Sequence, residues 1–178
     1  SQVLCIGKFK TYTFMKGIFI LSNKWDIRYM QLAEQISTWS KDPTSKIGAV
    51  AVGDKGQVLA QGYNGFPRGM DDNELFYLNR VTKHNRVVHA EMNAIYNASY
   101  NGVSLNDSTM YVYGLPTCSK CALGVIQVGV KKVVMPEQDI PERWQDSWSL
   151  TKSMFEEAGV EYSFIDYEEG CNSRTKSG

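Results

Sequence analysis

Two short motifs, each at the start of an apolar-periodic segment, constrain this chain more than any other feature. One is H-A-E at 89–91, and the other is C-S-K-C at 118–121. Together they offer one imidazole and two thiolates, which are ligands that zinc prefers. The sequence therefore predicts a single metal site with His89, Cys118 and Cys121 as its ligands.

The number of ligands favours a catalytic zinc ion over a structural one. Structural sites take all four ligands from protein, whereas catalytic sites leave one position for water. With two histidines and four cysteines in the chain, a closed site would need His84, Cys5 or Cys171, each far from both motifs. We expect water in the open position, where zinc lowers its pKa to about 7.

Glu91 is the predicted catalytic residue. It follows His89 by two positions, too close to share one helix face but well placed to lean over the open position. A carboxylate there can collect a proton from water and deliver it to the reacting group. Because a zinc ion that only joins two helices needs no such carboxylate, Glu91 favours catalysis.

The cysteine pair also has a redox interpretation. Cys118 and Cys121 lie at a predicted helix start, where thiolates are stabilised, as in thioredoxin-like pairs. The H-A-E motif upstream, with a predicted strand between, favours the metal. Thr117 is the predicted N-cap of this helix, because a threonine hydroxyl can accept hydrogen bonds from free amides at a helix start.

Composition indicates a globular protein that binds small molecules. The 178 residues fit one domain, and 43% of them are hydrophobic. Nineteen basic and nineteen acidic residues balance, and the sequence pI is about 6.7. Proteins that bind nucleic acid polymers usually have a higher pI or a basic face. We therefore expect a small-molecule substrate and no polymer.

The cysteines also bear on the compartment. Four cysteines do not make a disulfide framework, and metal ligands must be reduced, so we expect a cytoplasmic protein. The apolar run at 17–21 is far shorter than the ~20 residues of a membrane span. We expect no targeting segment and no membrane association.

Hydrophobic periodicity predicts alternating helices and strands. A helix at 25–39 is followed by a hairpin of strands at 47–52 and 58–62, and then by a Gly- and Pro-rich loop at 62–69.

The second half of the chain continues this alternation. Residues 74–78 are expected to form one or two helical turns, and 83–86 a solvated basic stretch. Further helices are predicted at 90–100, 118–128 and 142–157, and strands at 108–113, 131–135 and 160–165. A right-handed crossover around the helix at Cys118 would make its flanking strands parallel. Both metal-bearing helix starts would then lie at one edge of the sheet.

Four stretches resemble the deoxycytidylate (dCMP) deaminase branch of the cytidine deaminase superfamily, over about residues 25–166. They are K-D-P-T-S-K-I-G-A at 41–49, G-Y-N-G-F-P-R-G at 62–69, H-A-E-M-N-A-I at 89–95 and M-Y-V at 110–112. The superfamily places H-x-E before P-C-x-x-C; here Pro116 stands one position early. The G-Y-N-G-x-P loop and the following Asp71-Asp72 are typical of the dCMP branch. The stretch at 136–144 departs from the viral and animal pattern.

This resemblance implies a three-layer α/β/α fold around a five-stranded mixed sheet. It also implies a zinc-dependent hydrolase that converts dCMP to dUMP and ammonia and so supplies dUMP for thymidylate synthesis. Members are usually homohexamers, and many are activated by dCTP and inhibited by dTTP, with Mg²⁺ beside the bound triphosphate.

The resemblance also implies substrate-binding residues. Thr44 and Lys46 would bind the phosphate, Asn64 the sugar hydroxyl, and the backbone N–H of Ala90 the pyrimidine edge. Asn64 has a second interpretation as a left-handed turn residue, and Lys46 as an ordinary surface lysine. The effector-binding candidates are Tyr63, Gly65 and Arg68.

The expected organisation is an N-terminal extension of unassigned role at 1–22, a catalytic domain at 23–167 and a polar, poorly ordered tail at 168–178. Two other functions stay open. One is deamination of another cytosine nucleoside, nucleotide or free base, and the other is noncatalytic nucleotide sensing by a zinc-binding module.

Overall fold

A mixed β-sheet forms the centre of the computed structural model, which describes residues 11–13, 18–20 and 24–167. Its strands in chain order are β1 (Thr11–Thr13), β2 (Ile18–Ile20), β3 (Gly48–Val52), β4 (Val58–Tyr63), β5 (Thr109–Tyr113), β6 (Lys132–Pro136) and β7 (Glu161–Ile165). Their spatial order is β2-β1-β7-β6-β5-β3-β4. Strands β5 and β6 run parallel, as the predicted crossover requires, and β7 runs parallel to β6. Strand β3 pairs antiparallel with both β4 and β5.

The sheet contains the five predicted strands and two more. Strands β1 and β2 form an antiparallel hairpin, and β1 pairs with β7. The hairpin comes from the N-terminal extension, for which the sequence predicted no structure. It gives partners to backbone groups that would otherwise be unpaired along the β7 edge. The predicted tail at 168–178 lies outside the described residues.

Helices cover both faces of the sheet. Their bounds are α1 (Lys24–Ser37), α2 (Glu74–Leu78), α3 (Arg80–Arg86), α4 (Ala90–Tyr100), α5 (Ser119–Gln127) and α6 (Glu142–Ala158). The core on one face contains α1 residues, and the core on the other contains residues of α4, α5 and α6, which confirms the three-layer arrangement. No helix in the described part of the chain is long and apolar enough to cross a membrane.

One prediction about these helices was wrong, and another was wrong at a single residue. Helix α1 ends at Ser37 instead of reaching Trp39, whose side chain is 52% exposed. The hydroxyls of Ser37 and Thr38 donate to backbone carbonyls of the last turn, which competes with helix continuation. The basic stretch at 83–86 belongs to α3, and His84, Asn85 and Arg86 are exposed as predicted. Lys83 departs from the prediction, because its side chain is only 16% exposed.

Strand β3 shows why the centre of the sheet is apolar throughout. Ala49 and Ala51 belong to the core beneath α4 and α5, whereas Val50 and Val52 belong to the core beneath α1. Successive side chains of a strand point to opposite faces, so a strand covered on both sides needs apolar residues at every position. All five residues of β3 are buried.

Glycine at position 62 allows α4 to pack directly on β4. A Cβ atom at Gly62 would lie 2.6 Å from the carbonyl oxygen of Ala90 and would also collide with the amide nitrogen of Ala94. No larger residue fits between this strand and this helix. The contact therefore fixes the first turn of α4, which carries the H-A-E motif, against the edge of the sheet.

A buried ion pair fixes α3 against the loop before β3. The carboxylate of Asp42 is fully buried and lies 2.6 Å from Nζ of Lys83. Its other oxygen accepts hydrogen bonds from the backbone N–H and the hydroxyl of Thr44. Burial acts to raise the pKa of Asp42, but the bonds from Lys83 and Thr44 outweigh it and hold the pKa below its ordinary value.

We predict that Lys83→Met lowers the free energy of unfolding by about 3 kcal/mol, because it leaves the Asp42 carboxylate buried without its cation. Urea denaturation at pH 7 measures this. The pKa of Asp42 is lowered on folding, so the pair stabilises above the ordinary value of 3.8 and loses its effect as the pH falls below it. The deficit should therefore shrink in acid.

Lys55→Met is the matched control. Lys55 and Asp54 also form an ion pair, but their side chains are 81% and 60% exposed. We expect a much smaller loss there, because solvent and salt screen an exposed ion pair. Equal losses in the two variants would contradict a special role for the Asp42–Lys83 pair.

Candidate active site

The starts of α4 and α5 meet at one point. His89 is the N-cap residue of α4, Cys118 is the N-cap residue of α5, and Cys121 lies in the first turn of α5. Nδ1 of His89 lies 3.3 Å from Sγ of Cys118 and 3.4 Å from Sγ of Cys121. The structure thus brings together the three predicted ligands, whose donor atoms all lie within 4.8 Å of one another.

The spacing of these atoms fits zinc. Tetrahedral ligands at ordinary Zn–N and Zn–S distances would be separated by about 3.6 Å, close to the separations found here. A hydrogen bond from Cys121 lowers the pKa of Cys118 to about 4, and the bond to His89 acts in the same direction. The cluster therefore already favours a thiolate, the form that binds metal.

The predicted N-cap of α5 was wrong by one residue. Sγ of Cys118, and not the hydroxyl of Thr117, accepts the hydrogen bond from the backbone N–H of Cys121 at 3.5 Å. Thr117 is fully buried, and its Oγ1 makes no hydrogen bond of normal geometry with the other described residues. The hydroxyl still lies close enough to Glu91 to lower the pKa of that carboxyl weakly.

Glu91 lies beside the cluster in the first turn of α4 and is only 3% exposed. Burial raises the pKa of its carboxyl, and the negative charge of Cys118 acts in the same direction. A raised pKa brings a carboxyl closer to the working pH of a general acid-base catalyst. Glu91 therefore has the surroundings that its predicted role needs.

A cavity of about 700 Å³ opens above His89 and Glu91. The loop before β3 forms one wall, α2 and α3 form another, and the residues around Pro116 and Trp144 close the third side. This volume lies in the range of small-molecule sites. His89 and Glu91 therefore share one pocket.

Of the four predicted substrate-binding residues, two line this cavity. They are Thr44 and Asn64. The amide of Asn64 accepts from the backbone N–H of Ile47 at 2.8 Å and donates to the carbonyl of Ser45 at 2.7 Å. Asn64 does not have the positive φ of a left-handed turn residue, because Asp107 is the non-glycine residue with positive φ among those described. Its bond to the sugar stays a prediction.

The other two predicted residues lie outside the cavity. Lys46 donates through Nζ to the carbonyl of Ser40 and lines a smaller neighbouring cavity of about 310 Å³. Its ammonium is therefore not available to an anion above Glu91 in this conformation. Ala90 is fully buried in the core beneath α4, and the role of its backbone N–H stays a prediction.

The three predicted effector residues lie away from both cavities, on the side of the G-Y-N-G loop that faces α4. Arg68 donates to Oδ1 of Asn97 at 2.6 Å, and the carbonyl of Tyr63 accepts from the side chain of Asn93 at 2.7 Å. Gly65 forms an isolated β-bridge with Val88. Their predicted role is untested by these contacts.

Sequence reasoning missed the basic residues that do line the cavity. Arg80, Lys83 and His84 approach it from α3, and Arg143 from the first turn of α6. The spacing of these residues could have indicated a shared face, because positions 80, 83, 84 and 87 fall on one side of a helix. It was missed because this stretch is too short and polar to show an apolar period.

Known proteins share this arrangement. Residues 23–137 match the family described as "Cytidine and deoxycytidylate deaminase zinc-binding region". The "Uncharacterized deaminase in luxG 3'region" of Aliivibrio fischeri is 36% identical over 145 residues, covering 80% of this chain and 95% of that protein. The deoxycytidylate deaminase of Homo sapiens is 34% identical over 146 residues, covering 78% of each chain.

A solved structure of a dCMP deaminase is also similar to this chain. The crystal structure of dCMP deaminase from the cyanophage S-TIM5 in complex with dCMP and dUMP superposes with a TM-score of 0.62 and 26% identity. The match covers 80% of this chain and 98% of that one. Because the family model matches residues 23–137 and these relatives match most of the chain, this chain belongs to the cytidine and deoxycytidylate deaminase family.

Proposed function

We propose that the protein is a zinc-dependent hydrolase that deaminates dCMP to dUMP and releases ammonia. The observation that carries this proposal is the cavity lined by Glu91 and by His89 of the His89–Cys118–Cys121 cluster, with basic residues on its wall. The dCMP deaminases among its relatives and the cyanophage enzyme with dCMP and dUMP support the choice of substrate.

The residues of the chain divide the chemistry between them. Zinc, held by His89, Cys118 and Cys121, would activate water as the nucleophile at neutral pH. Glu91 would take one proton from that water and pass it to N3 of cytosine as the hydroxyl group attacks C4. It would then move the remaining hydroxyl proton to the amino group, so that the C4–N bond breaks and C4 keeps the oxygen as a carbonyl. Water thus replaces the amino group, and the products are dUMP and ammonia.

Regulation and assembly extend this proposal. We propose a cytoplasmic homohexamer that is activated by dCTP and inhibited by dTTP, with Mg²⁺ beside the bound triphosphate. The proposed effector contacts are Tyr63, Gly65 and Arg68. Leu75, Leu78 and Val81 support assembly, because their side chains are 68%, 66% and 71% exposed and exposed apolar groups of this kind mark contact surfaces.

Ammonia release from cytidine, dCMP, CMP and dCTP tests the substrate assignment. We expect the highest kcat/KM with dCMP. A preference for a nucleoside or a free base would leave the deaminase chemistry standing and overturn the dCMP assignment. No release of ammonia from any cytosine compound would favour the noncatalytic zinc-binding module, which does not require the carboxylate of Glu91.

We predict about one zinc ion per chain in purified protein and a sharp loss of zinc in Cys118→Ala, because three protein ligands are needed to hold the ion. Atomic absorption of protein at known concentration measures both. Full zinc occupancy in the Cys118→Ala protein would place the metal elsewhere.

We predict that Glu91→Gln keeps the zinc ion but lowers kcat for dCMP by at least about 10²- to 10⁴-fold, because glutamine cannot transfer the proton. Steady-state kinetics on zinc-loaded protein measure the loss, and Cys118→Ala provides the comparison in which activity and zinc disappear together. Near wild-type turnover would remove Glu91 from the mechanism.

A further inference from the structure

Helix α3 turns a basic face toward the cavity above Glu91. Arg80, Lys83, His84 and Val87 all line it, and their spacing places them on one side of the helix. Arg86, at the other side, is exposed, and its guanidinium lies over the ring of Phe76 at 5.3 Å. The helix therefore has one basic face toward the site and another toward solvent.

The cations on the inner face have different partners. Nζ of Lys83 contacts the Asp42 carboxylate at 2.6 Å and donates to Oγ1 of Thr44 at 2.7 Å. The side chains of Arg80 and His84 make no hydrogen bond or ion pair with the other described residues. Lys83 is thus neutralised by Asp42, while the donors of Arg80 and His84 are left for a ligand.

This division favours an anionic group on the substrate. The fixed negative charge of Asp42 is already balanced by Lys83, so Arg80 adds uncompensated positive charge to the wall. A guanidinium binds phosphate oxygens through two parallel N–H bonds, and an imidazole adds a further donor. A carboxylate ligand would fit less well, because it offers fewer acceptor oxygens than phosphate.

Resting on the proposed function, we propose that Arg80 and His84 bind the 5′-monophosphate of the substrate, and that Lys83 is the positioning residue that holds α3 in place. Lys83 acts through Asp42 and Thr44, which tie α3 to the loop before β3. This assignment replaces Lys46, whose ammonium bonds to Ser40 beside the neighbouring cavity.

The test is the selectivity ratio, defined as kcat/KM for dCMP divided by kcat/KM for deoxycytidine. It is measured on zinc-loaded wild type and on Arg80→Met, His84→Gln, Lys46→Met, Arg143→Met and Arg86→Met. Loss of a charged hydrogen bond to phosphate should lower the ratio by about 10- to 100-fold in Arg80→Met and by less in His84→Gln. Arg86→Met, the matched control on the opposite face of α3, should keep the wild-type ratio.

The role of Lys83 has its own readout. At a temperature where all variants are folded, Lys83→Met should raise KM for dCMP more than it lowers kcat, because α3 loses its anchor while Glu91 keeps its place. Lys83→Arg retains the cation and should restore most of the ratio. If Lys83→Met and Lys83→Arg lowered kcat equally and left KM unchanged, the positioning role would be contradicted.

The outcomes separate the two proposals. If wild type deaminates dCMP but Arg80→Met and His84→Gln keep its ratio, the phosphate assignment is wrong and the deaminase stands. A fall confined to Arg143→Met or Lys46→Met would place the phosphate on the opposite side and overturn it as well. If wild type does not deaminate dCMP, the proposed function fails and takes this assignment with it.

Discussion

The metal centre depends on the close packing of α4 against β4 at Gly62. A side chain there would collide with the backbone of Ala90 and Ala94, so only glycine lets the helix lie this near the sheet. The short distance between α4 and β4 fixes the position of the first turn of α4. His89 and Glu91 consequently lie beside the start of α5, which the parallel β5–β6 crossover delivers to the same edge.

A second constraint shapes the opposite wall. Asp42 is fully buried, and its two oxygens gather Thr44, Ser45 and Lys83 from two segments distant in the chain. A buried carboxylate needs this many partners, since an uncompensated charge in a protein interior is strongly unfavourable. The hydrogen bonds to Asp42 therefore order the loop before β3. The metal cluster and the basic wall of the cavity thus depend on separate packing features.

Much of the fold was predictable because its signals are local. Helix α4 was predicted with both of its bounds, and the strands near Val50 and Tyr111 within one or two residues, since apolar periodicity reflects burial directly. Thr117 was misassigned because a cysteine sulfur took the capping position. The two additional strands could not be foreseen, because three-residue strands owe their existence to pairing with β7 and not to their own sequence.

The His89–Cys118–Cys121 cluster and the glutamate beside it could be predicted from the residues themselves, because two short motifs carry both the donor types and the spacing. The residues that face the substrate do not. Lys46 and Lys83 are indistinguishable as lysines in the sequence, yet one bonds to the carbonyl of Ser40 and the other to Asp42. Which cation lines the cavity depends on contacts between segments far apart in the chain, and these exist only once the chain has folded.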